Sequence, residues 1–148
     1  MNSRTIEDPV KATKVLKQAK TVAVIGASGT TSKDAYRVPV YLIKHGFDII
    51  PVNPIREELY GRKAYPSLPS IPPDLRSSID IIDVFRPPSE ALRIVKDAES
   101  IRVNGKPWVI WFQWDTDTEE AVRYAVERGF IVFCGLCIKR FYSSMLRS

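Results

Sequence analysis

At 148 residues with 45% hydrophobic content, the chain has the size of one domain and enough apolar residues to bury a full core. Two cysteines and one histidine furnish neither a disulfide scaffold nor an all-protein zinc cage. No apolar run is long enough for a bilayer, and the charged, proline-containing start lacks a signal-peptide h-region. The net charge of +5 is carried by the ends, since residues 1–20 and 138–148 are basic and residues 21–137 are close to neutral. No basic stripe of the kind nucleic-acid binding uses is present. The expectation is a cytoplasmic protein that binds neither nucleic acid nor membrane.

Asp8-Pro9 reads as an N-cap with proline at the first helical position, opening a helix to about Ala19 whose lysines form a solvated face. Thr21 to Gly26 is a buried-type strand. After a loop over 28–36 comes a helix with Val38, Tyr41, Leu42 and Ile43 on its apolar side, which requires Pro39 to lie in the first turn. His45-Gly46 ends it, and a second strand covers 48–52. The proline- and serine-rich stretch 54–74 reads as surface connection with at most short turns.

Ile79 to Phe85 is the third strand. Pro87-Pro88-Ser89 opens a helix to about Ser100, with Leu92, Val95 and Ile101 facing inward. Trp108 to Phe112 is the fourth strand, Thr116 or Thr118 caps the next helix, Gly129 ends it, and Phe130 to Phe133 is the fifth strand. Strands alternating with helices at this spacing predict an α/β fold: one Rossmann-like, doubly wound domain with a mainly parallel five-stranded sheet, helices on both faces and right-handed crossovers. In this reading residues 1–20 form an N-terminal helical extension, 21–137 the nucleotide-binding domain and 138–148 a basic C-terminal tail.

The stretch TVAVIGAS, Thr21 to Ser28, is a strand that stops at glycine and opens into a polar turn before a helix, the arrangement that receives phosphate. Gly26, Ser28 and Gly29 fit that turn. The dinucleotide fingerprint G-x-G-x-x-G is not met, because its second and third glycine positions hold Ser28 and Thr31, and the second strand ends at Asn53-Pro54 where a nicotinamide site places an acid. Ligands of such sheets sit at the carboxyl ends of the strands. Those ends are Gly26-Ala27-Ser28, Pro51-Val52-Asn53-Pro54, Phe85-Arg86-Pro87-Pro88, Gln113-Trp114 and Cys134 to Cys137.

The VIGAS turn, the PVNP strand end, the GRKAYPSL segment, the DVFRPP loop, the WFQ strand end and the final Cys137 stand in an order that resembles the stand-alone CoA-binding domain family. That family is similar to the CoA-binding domain of the succinyl-CoA synthetase alpha subunit. The resemblance spans about residues 8–142 and implies coenzyme A, free or as acyl-CoA, bound across the strand ends. It implies phosphate contacts from Gly26, Ala27 and Ser28, aided by Lys33 and Arg37, and an adenosine border at Val52, Asn53 and Pro54. It further implies that Phe85, Arg86 and Pro87 flank the nucleotide or pantetheine arm, that Gln113 meets pantetheine amides and that Cys137 lies toward the thiol end. Gly135 and Leu136 stand where the family has a polar and then a basic residue. The stretch from Ser100 to Lys106 is longer than usual.

No nucleophile with a base or metal can be assembled, so the residues predict a non-catalytic binding protein. Two alternatives stay open: a nicotinamide- or flavin-binding oxidoreductase, and a thiol redox protein using Cys134 and Cys137, which spell C-x-x-C.

Overall fold

A computed structural model describes residues 8–147. The first helix, α1 (Pro9–Gln18), starts as the sequence predicts, the Asp8 carboxylate accepting the Lys11 N–H at 3.0 Å. It buries Ala12, Val15 and Leu16. The apolar run TVAVI forms β1 (Thr21–Ile25), covered on both faces. Then follow α2 (Asp34–Lys44) and β2 (Asp48–Val52). Pro39 lies in the second turn of α2 rather than the first.

The stretch 54–74 holds more than turns. A hairpin, β3 (Glu58–Leu59) and β4 (Arg62–Lys63), turns through Tyr60 and Gly61, whose φ values of 57° and 74° suit a two-residue type I′ turn. A one-turn helix, α3 (Pro73–Arg76), comes later, and Leu59, Ala64, Leu68 and Ile71 are buried. Tyr65 bridges to the outer side of β2, its N–H donating to the Pro51 carbonyl at 3.0 Å and its carbonyl accepting the Asn53 N–H at 2.9 Å.

The rest alternates: β5 (Ile81–Val84), α4 (Ala91–Ser100), β6 (Val109–Phe112), α5 (Glu119–Glu127) and β7 (Ile131–Cys134). Thr118, not Thr116, caps α5, accepting the Ala121 N–H at 3.0 Å. On α4 the buried stripe is Ala91, Ile94, Val95 and Ala98, with Leu92 only partly covered. Residues 138–146 are not a tail: α6 (Ile138–Leu146) lays Ile138, Phe141, Tyr142 and Met145 onto the core. Helices α1 and α6 both pack in the core of the domain, and residues 1–7 of the expected extension lie outside the described residues.

All five main strands are parallel in the order β2-β1-β5-β6-β7. Helices α1, α2 and α6 cover one face, and α4 and α5 cover the other. The order reverses beside β1: the chain leaves it for β2 on one side and returns to β5 on the other. That is the switch point where ligands of open α/β sheets bind.

Two aspartates mark β5. At its amino end Asp80 is buried and accepts the N–H groups of Lys20 (2.8 Å) and Thr21 (3.1 Å) and the Trp108 indole N–H (3.1 Å), while the Lys106 ammonium lies 3.1 Å away. Asp83, fully buried, stands in register between Val24 and Trp111, and among the described residues neither carboxyl oxygen has a hydrogen-bond partner. Burial pushes its carboxyl pKa well above the usual range, favouring the protonated form.

Candidate functional site

The carboxyl ends of β1, β2 and β5 meet at Gly26. Its φ of +86° favours glycine, and a Cβ there would stand 2.8 Å from the Arg86 Cδ and 3.2 Å from the Phe85 carbonyl carbon. Glycine thus lets the β5 end close over the β1 turn. The Gly26 and Ala27 N–H groups both donate to the Val52 carbonyl, at 3.1 and 3.2 Å. The Ser28 N–H faces the Ala35 carbonyl and the Tyr60 hydroxyl, each at 3.2 Å.

Each of these backbone N–H groups thus has a partner within the chain. The Ser28 hydroxyl accepts the Thr30 N–H at 3.0 Å and keeps its own proton to donate.

Asn53 ties two strand ends together. Its Nδ2 donates to the Ala27 carbonyl at 2.9 Å, and its Oδ1 accepts the Ile55 and Arg56 N–H groups at 2.8 Å. These bonds make Asn53 a brace between the two strand ends, with one Nδ2 proton beyond the bond to Ala27. One result is the placement of Arg56, whose guanidinium packs on Gly29 so closely that a Cβ there would collide with it. The sequence reading missed Arg56. The signal was the Asx turn begun by Asn53, which fixes the backbone two and three residues on.

Val52 and Pro54 do border a cavity, of about 180 Å³, together with Gly26, Ser67, Arg86 and Arg93. Arg86 reaches Glu90 through Nη2 at 2.6 Å and Nε at 3.1 Å, and Arg93 meets the other Glu90 oxygen at 2.8 Å. The hydrogen bond to Glu90 raises the Arg86 pKa, and the same bond from Arg86 lowers that of Glu90. Phe85, next on the strand, turns the opposite way and packs partly buried beneath α1, α2 and α6. Lys33 and Arg37 stand exposed at the start of α2, with Arg37 paired to Asp34 at 3.1 Å, and Pro87 is exposed on the β5 loop.

Farther along the sheet edge, Gln113 is buried and its Oε1 accepts the Ile138 N–H at 3.2 Å, tying down the first turn of α6. Trp111 and Trp114 donate to the carbonyls of Leu136 and Gly135 at 3.1 and 3.0 Å. These bonds draw the β6 end onto the Cys134–Cys137 turn. Cys137 is the N-cap residue of α6, and both cysteines are buried and not joined in a disulfide. Among the described residues no group of histidine, cysteine and acidic side chains is arranged to hold a metal. No helix among them is long and apolar enough to cross a membrane.

A larger cavity, about 600 Å³, opens at the opposite end of the sheet between Leu16, Lys20, His45, Phe47 and Tyr142. It adjoins the amino ends of β1 and β2. The smaller cleft lies where the strand-to-helix turns of the switch point converge.

Residues 20–142 match the CoA binding domain family. The chain belongs to that family. It is 37% identical to the uncharacterized protein YneT of Bacillus subtilis over 136 residues, which cover 90% of this chain and 95% of that one. A hypothetical protein from Pyrococcus horikoshii superposes with a TM-score of 0.84 at 35% identity, covering 93% of this chain and 92% of that one. The dinucleotide-forming acetyl-coenzyme A synthetase 1 of Ca. Korarchaeum cryptofilum, in its apo form, superposes with a TM-score of 0.64 at 25% identity over 80% of this chain and 26% of that one. An ADP-forming acetate–CoA ligase II of Archaeoglobus fulgidus shares 40% identity over 62 residues, 40% of this chain and 9% of the ligase. This CoA-binding domain is thus similar to one part of much larger ligases, and over nearly its whole length to single-domain proteins.

Proposed function

We propose that this protein binds coenzyme A or an acyl-CoA, without transforming it, in the cleft at the carboxyl ends of β1, β2 and β5. The observation that carries the reading is the cleft itself: an apolar notch between Val52, Pro54 and Leu68 whose charged wall is Arg86 and Arg93 with Glu90 and Asp97, while Lys33 and Arg56 stand exposed on the connections that follow β1 and β2. The adenine lies against Val52 and Pro54. The phosphates face the 28–33 loop, where the Ser28 hydroxyl, Lys33 and Arg56 supply donors and positive charge. The pantetheine arm passes Phe85, Arg86 and Pro87 toward Gln113 and Cys137.

Charge-assisted bonds of roughly 1.5–3 kcal/mol each from these cations are enough for a micromolar complex of roughly 8 kcal/mol after ordering costs. The non-catalytic reading rests on the side chains at the strand ends: Asn53 and Gln113 are engaged in loop architecture, and His45, the single histidine, lies at the other end of the sheet.

Calorimetric titration with CoA and, separately, with NADH tests the proposal. The expected result is micromolar binding of CoA and none of NADH. Folded protein that binds no CoA would defeat it.

A further inference from the structure

Pro39, in the second turn of α2, has no N–H for the carbonyl four residues back. That carbonyl belongs to Ala35. Two donors from outside the helix reach it, the Tyr60 hydroxyl at 2.6 Å and the Ser28 N–H at 3.2 Å. The phenol has one proton, and Ala35 is its nearest acceptor, the Ser28 carbonyl being 3.1 Å away. The Ser28 N–H is left with two long contacts, both 3.2 Å, at the far end of the hydrogen-bond range. Tyr60 is set for this task by its hairpin turn at φ 57° and by the edge of Tyr36, 5.7 Å away between ring centroids. Burial pushes its pKa up to about 12, so the hydroxyl keeps its proton.

Resting on the CoA-binding reading, we infer that Tyr60 is a positioning residue that secures the Ala35 carbonyl orphaned by Pro39 and so leaves the Ser28 N–H exchangeable, a backbone donor for a phosphate of the bound nucleotide. On binding, that N–H trades two long contacts for one bond to an anionic oxygen, the stronger kind. The Ala35 carbonyl is not stranded, since Tyr60 still donates to it. With any residue but proline at position 39, the helix ladder would serve Ala35 and Tyr60 would be dispensable.

The test titrates the full chain with CoA and with adenosine 3′-monophosphate, which lacks the pyrophosphate. Tyr60→Phe is expected to weaken CoA about tenfold, the worth of one hydrogen bond, and to leave adenosine 3′-monophosphate within about twofold. Adding Pro39→Ala should return CoA affinity to within about threefold of wild type, because the new backbone N–H serves Ala35. CoA affinity unchanged by Tyr60→Phe, equal losses for both ligands, or no recovery in the double variant overturns the inference while the CoA reading stands. Folded wild type that binds neither ligand sinks the CoA reading and this inference with it. If Tyr60→Phe is too unstable to titrate, the double variant is compared with Pro39→Ala alone. Equal CoA affinities then support the inference, and a gap of about tenfold overturns it.

Discussion

The two ends of the parallel sheet use charge in opposite ways. At the amino end one buried carboxylate, Asp80, gathers two backbone N–H groups, an indole and an ammonium, and joins the starts of β1, β5 and β6. At the carboxyl end Lys33, Arg37, Arg56 and Arg86 stand exposed, and the ion pairs of Arg37 and Arg86 are surface pairs to near neighbours in sequence. A buried, saturated charge is costly to disturb, whereas exposed pairs contribute little to stability and yield readily to a stronger anion. One end spends its charge on joining the strands, and the other leaves its charge exposed.

Asp80→Ala breaks the first half of that contrast most severely. It strands the Lys20 and Thr21 N–H groups and the Trp108 indole, and urea unfolding should show a loss of about 3–5 kcal/mol with CoA affinity of the folded protein unchanged. Comparable loss of affinity would mean that the two ends are not separable.

Gly26→Ala attacks the other end through its backbone. Strain at positive φ and the approach of Arg86 should cost about 1–3 kcal/mol of stability and also weaken CoA about tenfold, read by melting and calorimetry on one sample. Arg56→Ala and Arg86→Ala should each weaken CoA about three- to tenfold, with unchanged melting and a shallower salt dependence. Unchanged affinity in both would move the phosphates away from the 28–33 loop.

The smallest effect is a pH slope. Burial alone would raise the Asp80 pKa, but bonds from the Lys20 N–H, Trp108, the Thr21 N–H and Lys106 outweigh it and lower it. Its stabilisation is therefore present above the ordinary carboxyl value of 3.8 and is lost as the pH falls. Asp83 has the reverse sign. The unfolded chain ionises at the ordinary value of 3.8 while the folded one holds its proton to higher pH, so stability declines as the pH rises above 3.8. Asp83→Asn should flatten that rising-pH limb and leave the acid limb alone, and denaturant midpoints across the pH range would separate the two.

The strands, the α1 and α5 caps and the glycine turn were legible because each is local: an apolar run, an Asp-Pro or Thr cap, a glycine at a strand end. The β3–β4 hairpin was not, since its strands are only two residues long and its stability comes from burying Leu59 and Ala64 elsewhere. Helix α6 did carry a readable stripe, Ile138, Phe141, Tyr142 and Met145 at helical spacing, which its basic residues obscured. At the site, the position of the cleft could be read from the strand ends. The engagement of Asn53 with Ala27 and of Gln113 with Ile138 could not, because each bond joins residues about 25 apart that only the finished sheet brings together.

Pro51 has a consequence for how the molecule behaves among copies of itself. It lies on β2, an outer strand of the sheet, and a residue's N–H and C=O point to the same side of a strand. Its carbonyl faces outward to Tyr65, so the N–H that proline lacks is taken from the free border and not from the ladder with β1. With Tyr65 already seated on that border, a second chain finds no continuous template there to extend, which guards against fibre-like growth at high concentration.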